Sequence, residues 1–335
     1  TDSVSAPRFL TDPLGVIAEI VAHIEPGLDG DTIVAAIEKI APTNARILIA
    51  GASGAGKETA ARTIHAASLR AAGPFVVINA ATITPERMEE ALFGVEAGDG
   101  AARRSGALED AHGGTLFIDE IADMPRETQG KILRVLVDQN FQRVGGATRV
   151  HVDVRVISST SRVLEEEIAA GRFREDLYHR LSVVPLRIPA LSERREDIPD
   201  LIETFMEQIS GATGLPKRLI APDAMAVLQT HDWPGNVRQL RNNIERLMIL
   251  AAGDPSIPVT AEMLPQDVGS AAPLTPSGSG GERLLGLSLR EAREIFEREY
   301  LIAQINRFGG NISRTAEFVG MERSALHRKL RSLGV

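Results

Sequence analysis

Arg46-Ile47-Leu48-Ile49-Ala50-Gly51-Ala52-Ser53-Gly54-Ala55-Gly56-Lys57-Glu58-Thr59 decides how the rest of the chain is read. Arg46 to Ala50 is a short apolar run of the kind that forms a buried strand. Thr59 to His65 reads as the start of a helix. A strand, a glycine-rich loop ending in Lys57 and a helix are the context a phosphate-binding loop requires. The glycines let successive backbone N–H groups turn inward around an anion. The helix start adds partial positive charge, and Lys57 supplies a full one for the outer phosphates. Glu58 occupies the position where a Ser or Thr hydroxyl usually meets Mg²⁺.

Composition narrows the class. A length of 335 residues implies two or three domains, and 43% hydrophobic residues suffice for a core. The net charge of −8 makes general affinity for nucleic acid weak, so a DNA contact needs a local basic patch. With no cysteine, disulfides and thiolate metal sites are excluded. No apolar run reaches the ~18 residues of a membrane helix, and no signal peptide is visible. A cytoplasmic protein with no membrane partner is expected.

Working outward, residues 1–42 read as helical. Leu14, Val16, Ile17, Ile20, Val21 and Ile24 recur at helical spacing, and Ile33, Ala36, Ile37 and Ile40 repeat the pattern, with Asp31 and Thr32 as candidate caps. Residues 43–190 alternate strand and helix. Further strands are expected at Phe75–Asn79, Thr115–Glu120, Val152–Ser159 and Val183–Ile188. This pattern predicts an α/β fold, a parallel sheet with helices on both faces. Ligands of such sheets sit beyond the carboxyl ends of the strands. Lys57, Asn79, Asp119 and Thr160 all fall there, so one crevice can collect them. Nucleotide hydrolysis needs a carboxylate for Mg²⁺ and a group that orients water. Asp119 suits the metal, through water if Glu58 replaces the usual hydroxyl, and Glu120 suits the water.

Residues 191–265 read as a helical lid. Leu201, Ile202, Phe205, Met206 and Ile209 form one apolar stripe, and Ala224–Thr230 and Val237–Leu250 form others. The turn Trp233-Pro234-Gly235-Asn236 places Arg238 near the start of a helix. Residues 266–286, rich in Ser, Gly and Pro, read as a flexible linker. Residues 287–335 form an all-α third module. A long helix, Leu289–Phe308, is broken by Gly309-Gly310. Two shorter helices, Ser313–Val319 and Glu322–Ser332, flank Gly320 in helix-turn-helix order. From Asn306 to Val335 six basic residues oppose two acidic ones, so 6 − 2 gives +4. In such modules the early residues of the second helix face base edges. Arg323, Ser324 and His327 are the base-facing candidates, while Arg328, Lys329 and Arg331 suit phosphates. Arg314 and Thr315, at the start of the preceding helix, complete the candidate DNA-binding set.

Three long motifs carry a family resemblance. Gly113-Gly114-Thr115-Leu116-Phe117-Ile118-Asp119-Glu120-Ile121, Phe173-Arg174-Glu175-Asp176-Leu177-Tyr178-His179-Arg180-Leu181 and Trp233-Pro234-Gly235-Asn236-Val237-Arg238-Gln239-Leu240 resemble the NtrC family of bacterial enhancer-binding AAA+ regulators. The likeness covers about residues 43–335. Ala91-Leu92-Phe93-Gly94-Val95-Glu96 and the stretch from Glu299 bring it nearest to the NtrX branch, the response regulators of the NtrY/NtrX two-component system.

The resemblance implies an AAA+ nucleotide domain, a helical lid and a Fis-type DNA-binding domain, with ATP or ADP and Mg²⁺ as cofactors. Gly51, Ala52, Ser53, Gly54, Ala55, Gly56, Lys57, Glu58 and Thr59 match the Walker A region, where the family commonly carries Glu at position 58. Asp119 and Glu120 match Walker B. Asn79 matches the residue that switches the Walker B glutamate. Thr160 and Ser161 match sensor I, where the family more often has Thr-Asn. Arg174 and Arg180 match arginine fingers that reach a neighbouring subunit's nucleotide, although the residues alone favour local ion pairs with Glu175 and Asp176. Arg238 matches sensor II. Family activators grip sigma-54 with a Gly-Ala-Phe-Thr-Gly-Ala loop. Here Gly94 to Gly106 contains neither Phe nor Thr and is shorter. The expected function is therefore a regulator of ordinary promoters with a slow ATPase. Its partners would be an operator in double-stranded DNA, its own copies as DNA-bound dimers or hexameric rings, and RNA polymerase as a further candidate. The rivals are a true sigma-54 activator and an AAA+ protein remodeller. In this family a receiver domain normally precedes the architecture, and residues 1–42 cannot hold one.

Overall fold

Ile47–Ala50, apolar and partly β-branched, forms β1, the fourth strand of a five-stranded parallel sheet. The structure, a computed structural model, describes residues 30–97, 103–250, 257–265, 268 and 289–334. The expected stripe from Leu14 to Ile24, the middle of the Gly94–Gly106 loop and nearly all of the 266–286 linker lie outside these residues. The described chain divides into two compact units between Pro189 and Ala190.

In the first unit the sheet joins β1 to β2 (Phe75–Asn79), β3 (Thr115–Asp119), β6 (Arg155–Thr160) and β7 (Val184–Arg187) in the order β2-β3-β6-β1-β7. A separate antiparallel pair is formed by β4 (Asn140–Gln142) and β5 (Arg149–His151). The expected Val152–Ser159 strand is thus corrected. Arg149–His151 belongs to a hairpin turned by Gly145 at φ 76°, and the sheet strand begins only at Arg155. Successive side chains of a strand point to opposite faces, and both faces here are buried. Ile47, Ile49, Phe117, Ile157, Val184 and Leu186 enter one core. Leu48, Leu116, Ile118 and Val156 enter the other.

The first core is covered by α1 (Gly30–Ile40) and α2 (Lys57–Ala66). Asp31 and Thr32, read as caps, fall inside α1. The second core is covered by α3 (Pro85–Phe93), α4 (Ala107–Asp110) and α5 (Arg126–Asp138), followed by α6 (Leu164–Ala169) and α7 (Glu175–Leu181). Arg155 sits at the start of β6, 3% exposed. Its guanidinium donates to the carbonyls of Ala41 at 2.8 Å, Ile40 at 3.2 Å and Ala45 at 3.3 Å. The last carbonyls of a helix have no partner within it, and Arg155 supplies one for α1. Burial, and secondarily the charge of Arg70, pushes the Arg155 guanidinium down to about 10.

The second unit carries the lid helices α8 (Ile198–Thr213), α9 (Pro222–Thr230) and α10 (Asn236–Leu250). Pro199 and Pro222 occupy first-turn positions, where a missing N–H costs nothing. The stripe Ile202, Phe205, Met206 and Ile209 packs with Val227, Leu240, Ile244 and Trp233. Val268, assigned to the linker by composition, belongs to this core. The third module follows as α11 (Leu289–Arg307), α12 (Ile312–Phe318) and α13 (Arg323–Ser332). Asn311 caps α12 by accepting from the N–H groups of Ser313 and Arg314. Gly309, Gly310 and Gly320 turn the chain with φ of 58°, 84° and 69°. Leu301, Ala316, Leu326 and Leu330 form its small core. Among the described residues no helix is long and apolar enough to cross a membrane.

Candidate functional site

The register of the sheet brings the strand ends level. Asn79 pairs with Asp119, Ile118 with Ser158, and Ala50 with Thr160. The loop Gly51–Gly56 leaves β1 at this edge and delivers Lys57 to the start of α2. A Cβ on Gly51 would stand 2.5 Å from the Ile188 carbonyl oxygen, so the loop can pass β7 only as glycine. Gly54 and Gly56 have φ of 75° and 107°, which L side chains rarely adopt. No side chain caps α2, and a helix start built this way attracts anions. Ala52, Ser53 and Thr59 are exposed along the loop, whereas Ala55 is buried beneath it.

Lys57 is only 6% exposed and uses all three of its N–H donors. Its Nζ donates to the carbonyls of Gly51 at 2.9 Å and Ala52 at 3.3 Å, and lies 3.1 Å from Glu120 Oε1. Glu120 is held in a left-handed conformation, φ 51°, a strained backbone of the kind that clusters at functional sites. Its Oε2 accepts from both the N–H and the hydroxyl of Ser161, each at 2.8 Å. Burial would raise the Glu120 carboxyl, but the two Ser161 hydrogen bonds and Lys57 outweigh it and hold the group below its ordinary range.

Asp119 accepts from the Asn79 amide at 2.9 Å and from the Ser159 hydroxyl. Asn79 therefore contacts Asp119 here and not Glu120, the residue it was expected to switch. Its other side-chain atom accepts from the Ala81 N–H. Thr160 is 2% exposed, and its hydroxyl bonds to the backbone of Arg162, so it is Ser161 that contacts Glu120. Ser159 was not expected at all. A usable signal existed: Ser159 follows the residue paired with Ile118 and so comes beside Asp119.

The donor set fits Mg²⁺ of the usual nucleotide kind. Among the described residues no group of three or more His, Asp or Glu side chains could hold a metal by itself. Mg²⁺ in such sites takes one or two carboxylates and fills its sphere with phosphate and water oxygens. Asp119, at the strand end, can supply one. Glu58 is exposed and bonded through one oxygen to Arg62 Nε and Nη2 at 2.9 and 2.7 Å.

Arg174 precedes α7 and grips Asp176 in two contacts of 3.0 and 2.7 Å. The local ion pair that the residues alone favoured is thus present. Arg180 is exposed near the end of α7. Arg238 is exposed in the first turn of α10, in the second unit. In the third module Arg323, Ser324, His327, Arg328 and Arg331 share the exposed surface of α13, while Leu326 and Leu330 face inward. Lys329 is half-buried beside Glu297, and Arg314 pairs with Glu196. Thr315 is corrected. It is fully buried with its hydroxyl donating to the Asn311 carbonyl, which makes it a packing residue.

Three family models match successive parts of the chain: the sigma-54 interaction domain over residues 29–187, the AAA+ ATPase lid domain over 192–279 and the Fis family of bacterial regulatory proteins over 292–333. The nitrogen assimilation regulatory protein NtrX of Azorhizobium caulinodans is 72% identical over 301 residues, which is 90% of this chain and 66% of that protein. The DNA-binding transcriptional regulator NtrC of Rhizobium meliloti is 38% identical, covering all of this chain and 78% of its own. Crystal structures of NtrX from Brucella abortus, one with ADP and one with ATP, are 63% identical with a TM-score of 0.81. The ADP complex covers 97% of this chain and 73% of its own, and the ATP complex 95% and 72%. The chain spans less than two thirds of the first curated relatives' own length. It belongs to the NtrC family of AAA+ regulators with a sigma-54 interaction domain, a helical lid and a Fis-type helix-turn-helix, in the NtrX branch.

Proposed function

We propose that the chain is the ATP-binding and DNA-binding part of a cytoplasmic, NtrX-like transcriptional regulator, in which nucleotide adjusts self-assembly and hence operator occupancy. The observation that carries this reading is the convergence of Lys57, Asp119 and Glu120 at level strand ends beside an uncapped helix start. The ADP and ATP complexes of the Brucella relative support the choice of ligand. In this reading Gly51 to Thr59 cradle the phosphates and Lys57 neutralises the outer ones. Asp119 holds Mg²⁺, which when bound neutralises charge on the phosphates. Glu120 orients the attacking water. Arg174 and Arg180 act on a neighbouring subunit's nucleotide, so turnover requires assembly, and Arg238 senses nucleotide from the lid.

The experiment is ATP turnover against protein concentration. Turnover should rise steeply with concentration, and Arg174→Ala or Arg180→Ala should lower it by on the order of 10³-fold, as loss of an arginine finger does. Tight nucleotide binding with no turnover would make ATP a structural or regulatory ligand, and unchanged turnover in both variants would remove the finger assignment.

Independence from sigma-54 is part of the proposal. The Gly94–Gly106 loop has no aromatic side chain to anchor in a partner pocket. Its base is pinned by a Val95–Arg104 bridge and by Arg143, which binds Glu96 and Glu109. The match to the sigma-54 interaction domain favours the rival reading, a true sigma-54 activator. Stable capture of sigma-54 in the presence of a transition-state analogue would establish that rival.

On DNA, Arg323→Ala should cost about 1–3 kcal/mol and relax preference at one base position, whereas Arg331→Ala should weaken all sequences alike and reduce the salt slope by about 1. Binding titrations at several salt concentrations, on operator and random duplexes, separate the two. Identical behaviour of both variants would overturn the assignment of the exposed face of α13.

A further inference from the structure

Glu120 is tied at both carboxylate oxygens. Oε1 faces Lys57 Nζ at 3.1 Å, and Oε2 takes two hydrogen bonds from Ser161, through its N–H and its hydroxyl. The third and fourth ligands of this knot are the Gly51 and Ala52 carbonyls on Lys57. The lysine that must meet phosphate therefore has no donor to spare. Asn79 is occupied with Asp119 and offers Glu120 nothing. What fixes the carboxylate is Ser161, directly after the end of β6, on a chain segment itself turned by the Thr160 hydroxyl against Arg162.

We propose that Ser161 is a positioning residue that holds Glu120 against Lys57, so that the Glu120 carboxylate competes with the phosphates of a nucleotide for the Lys57 ammonium. The inference rests on the nucleotide-site reading above. A phosphate group and the Glu120 carboxylate are both anions competing for one ammonium. Every contact that steadies Glu120 in this position therefore lowers nucleotide affinity. The Ser161 hydroxyl, rather than its N–H, is the part that substitution can remove. A nucleotide that takes Lys57 releases Glu120, so the act that admits the phosphates also frees the carboxylate proposed to orient water.

The test is a mutant cycle read by ADP binding, with calorimetric titration of ADP–Mg²⁺ into the full chain as the readout. Ser161→Ala removes one hydrogen bond to Glu120 while the Ser161 N–H remains, and should tighten ADP about 10-fold. Ser161→Thr keeps the hydroxyl and should restore the wild-type constant. Glu120→Gln removes the competing charge and should tighten ADP about 10-fold or more. The double variant should equal Glu120→Gln within about 2-fold, because Ser161 acts only through Glu120. Weaker or unchanged binding in Ser161→Ala would overturn the competition, and so would additive effects in the double variant. If no variant and no wild type binds ADP, the nucleotide-site reading fails and the competition falls with it. Wild-type binding with a flat cycle removes the competition alone.

Discussion

Lys57→Ala should raise the dissociation constant for ADP by more than about 100-fold, equivalent to at least about 2.7 kcal/mol. Three consequences of the geometry add up. The ammonium is the one full positive charge at the loop, and a charge-assisted contact to phosphate is about twice as strong as a neutral one. It is 6% exposed, so water screens it poorly. Its removal also leaves the Glu120 carboxylate unbalanced and facing the phosphate position, turning an attraction into a repulsion. Part of this loss should be recoverable. Adding Glu120→Gln to Lys57→Ala removes the repulsion and should return some affinity, although not to the wild-type level. Calorimetry measures the constants, and circular dichroism verifies that the variants stay folded. ADP affinity within a few-fold of wild type in Lys57→Ala would mean that the loop does not receive the phosphates.

Trp233→Ala should destabilise the second unit by about 3–5 kcal/mol, the usual cost of deleting a large aromatic from a core. Trp233 is fully buried, and its indole N–H donates to the Leu228 carbonyl at 2.8 Å. It packs among the lid helices α8, α9 and α10 through Leu228, Leu240 and their neighbours. Its backbone is left-handed at φ 47°. The packing therefore holds a conformation that the residue alone would not choose. Trp233→Phe separates the effects, since it keeps most of the apolar contact and loses the hydrogen bond, with about 1 kcal/mol expected for that bond. Denaturant unfolding followed by circular dichroism gives both values. A loss below about 1 kcal/mol for Trp233→Ala would show that the lid core does not depend on this side chain.

The parts of the site that were legible in the sequence are those carried by spacing. A strand, Gly51 to Lys57 and a helix announce a phosphate loop because few other uses exist for that order. The apolar run ending in Asp119-Glu120 announces a strand end with acids beyond it. The second helix-turn-helix segment, Glu322–Ser332, also emerged close to its observed limits, Arg323 to Ser332, because Gly320 and the Leu326–Leu330 spacing mark them. What spacing could not give was which polar group faces which. Asn79 and Ser161 both stand within reach of two adjacent carboxylates, and only the register of β2, β3 and β6 assigns Asn79 to Asp119 and Ser161 to Glu120. Thr315 and Thr160 are buried with their hydroxyls bonded locally, which spacing does not reveal. A threonine near a functional segment looks available, but its hydroxyl can satisfy a local backbone group and leave the side chain buried. The hairpin β4–β5 was missed because three-residue strands carry too little alternation to register.

The Arg155 guanidinium makes β6 a strut with a fastening at each end. At its beginning, three carbonyls from the end of α1 and the turn after it are bolted to one side chain. At its far end, six residues and roughly 20 Å away by strand rise, stand Ser159, Thr160 and Ser161. A strand hydrogen-bonded on both sides does not stretch. The same strand thus fastens the end of α1 at one end and carries, at and just beyond the other, the hydroxyls that hold Asp119 and Glu120.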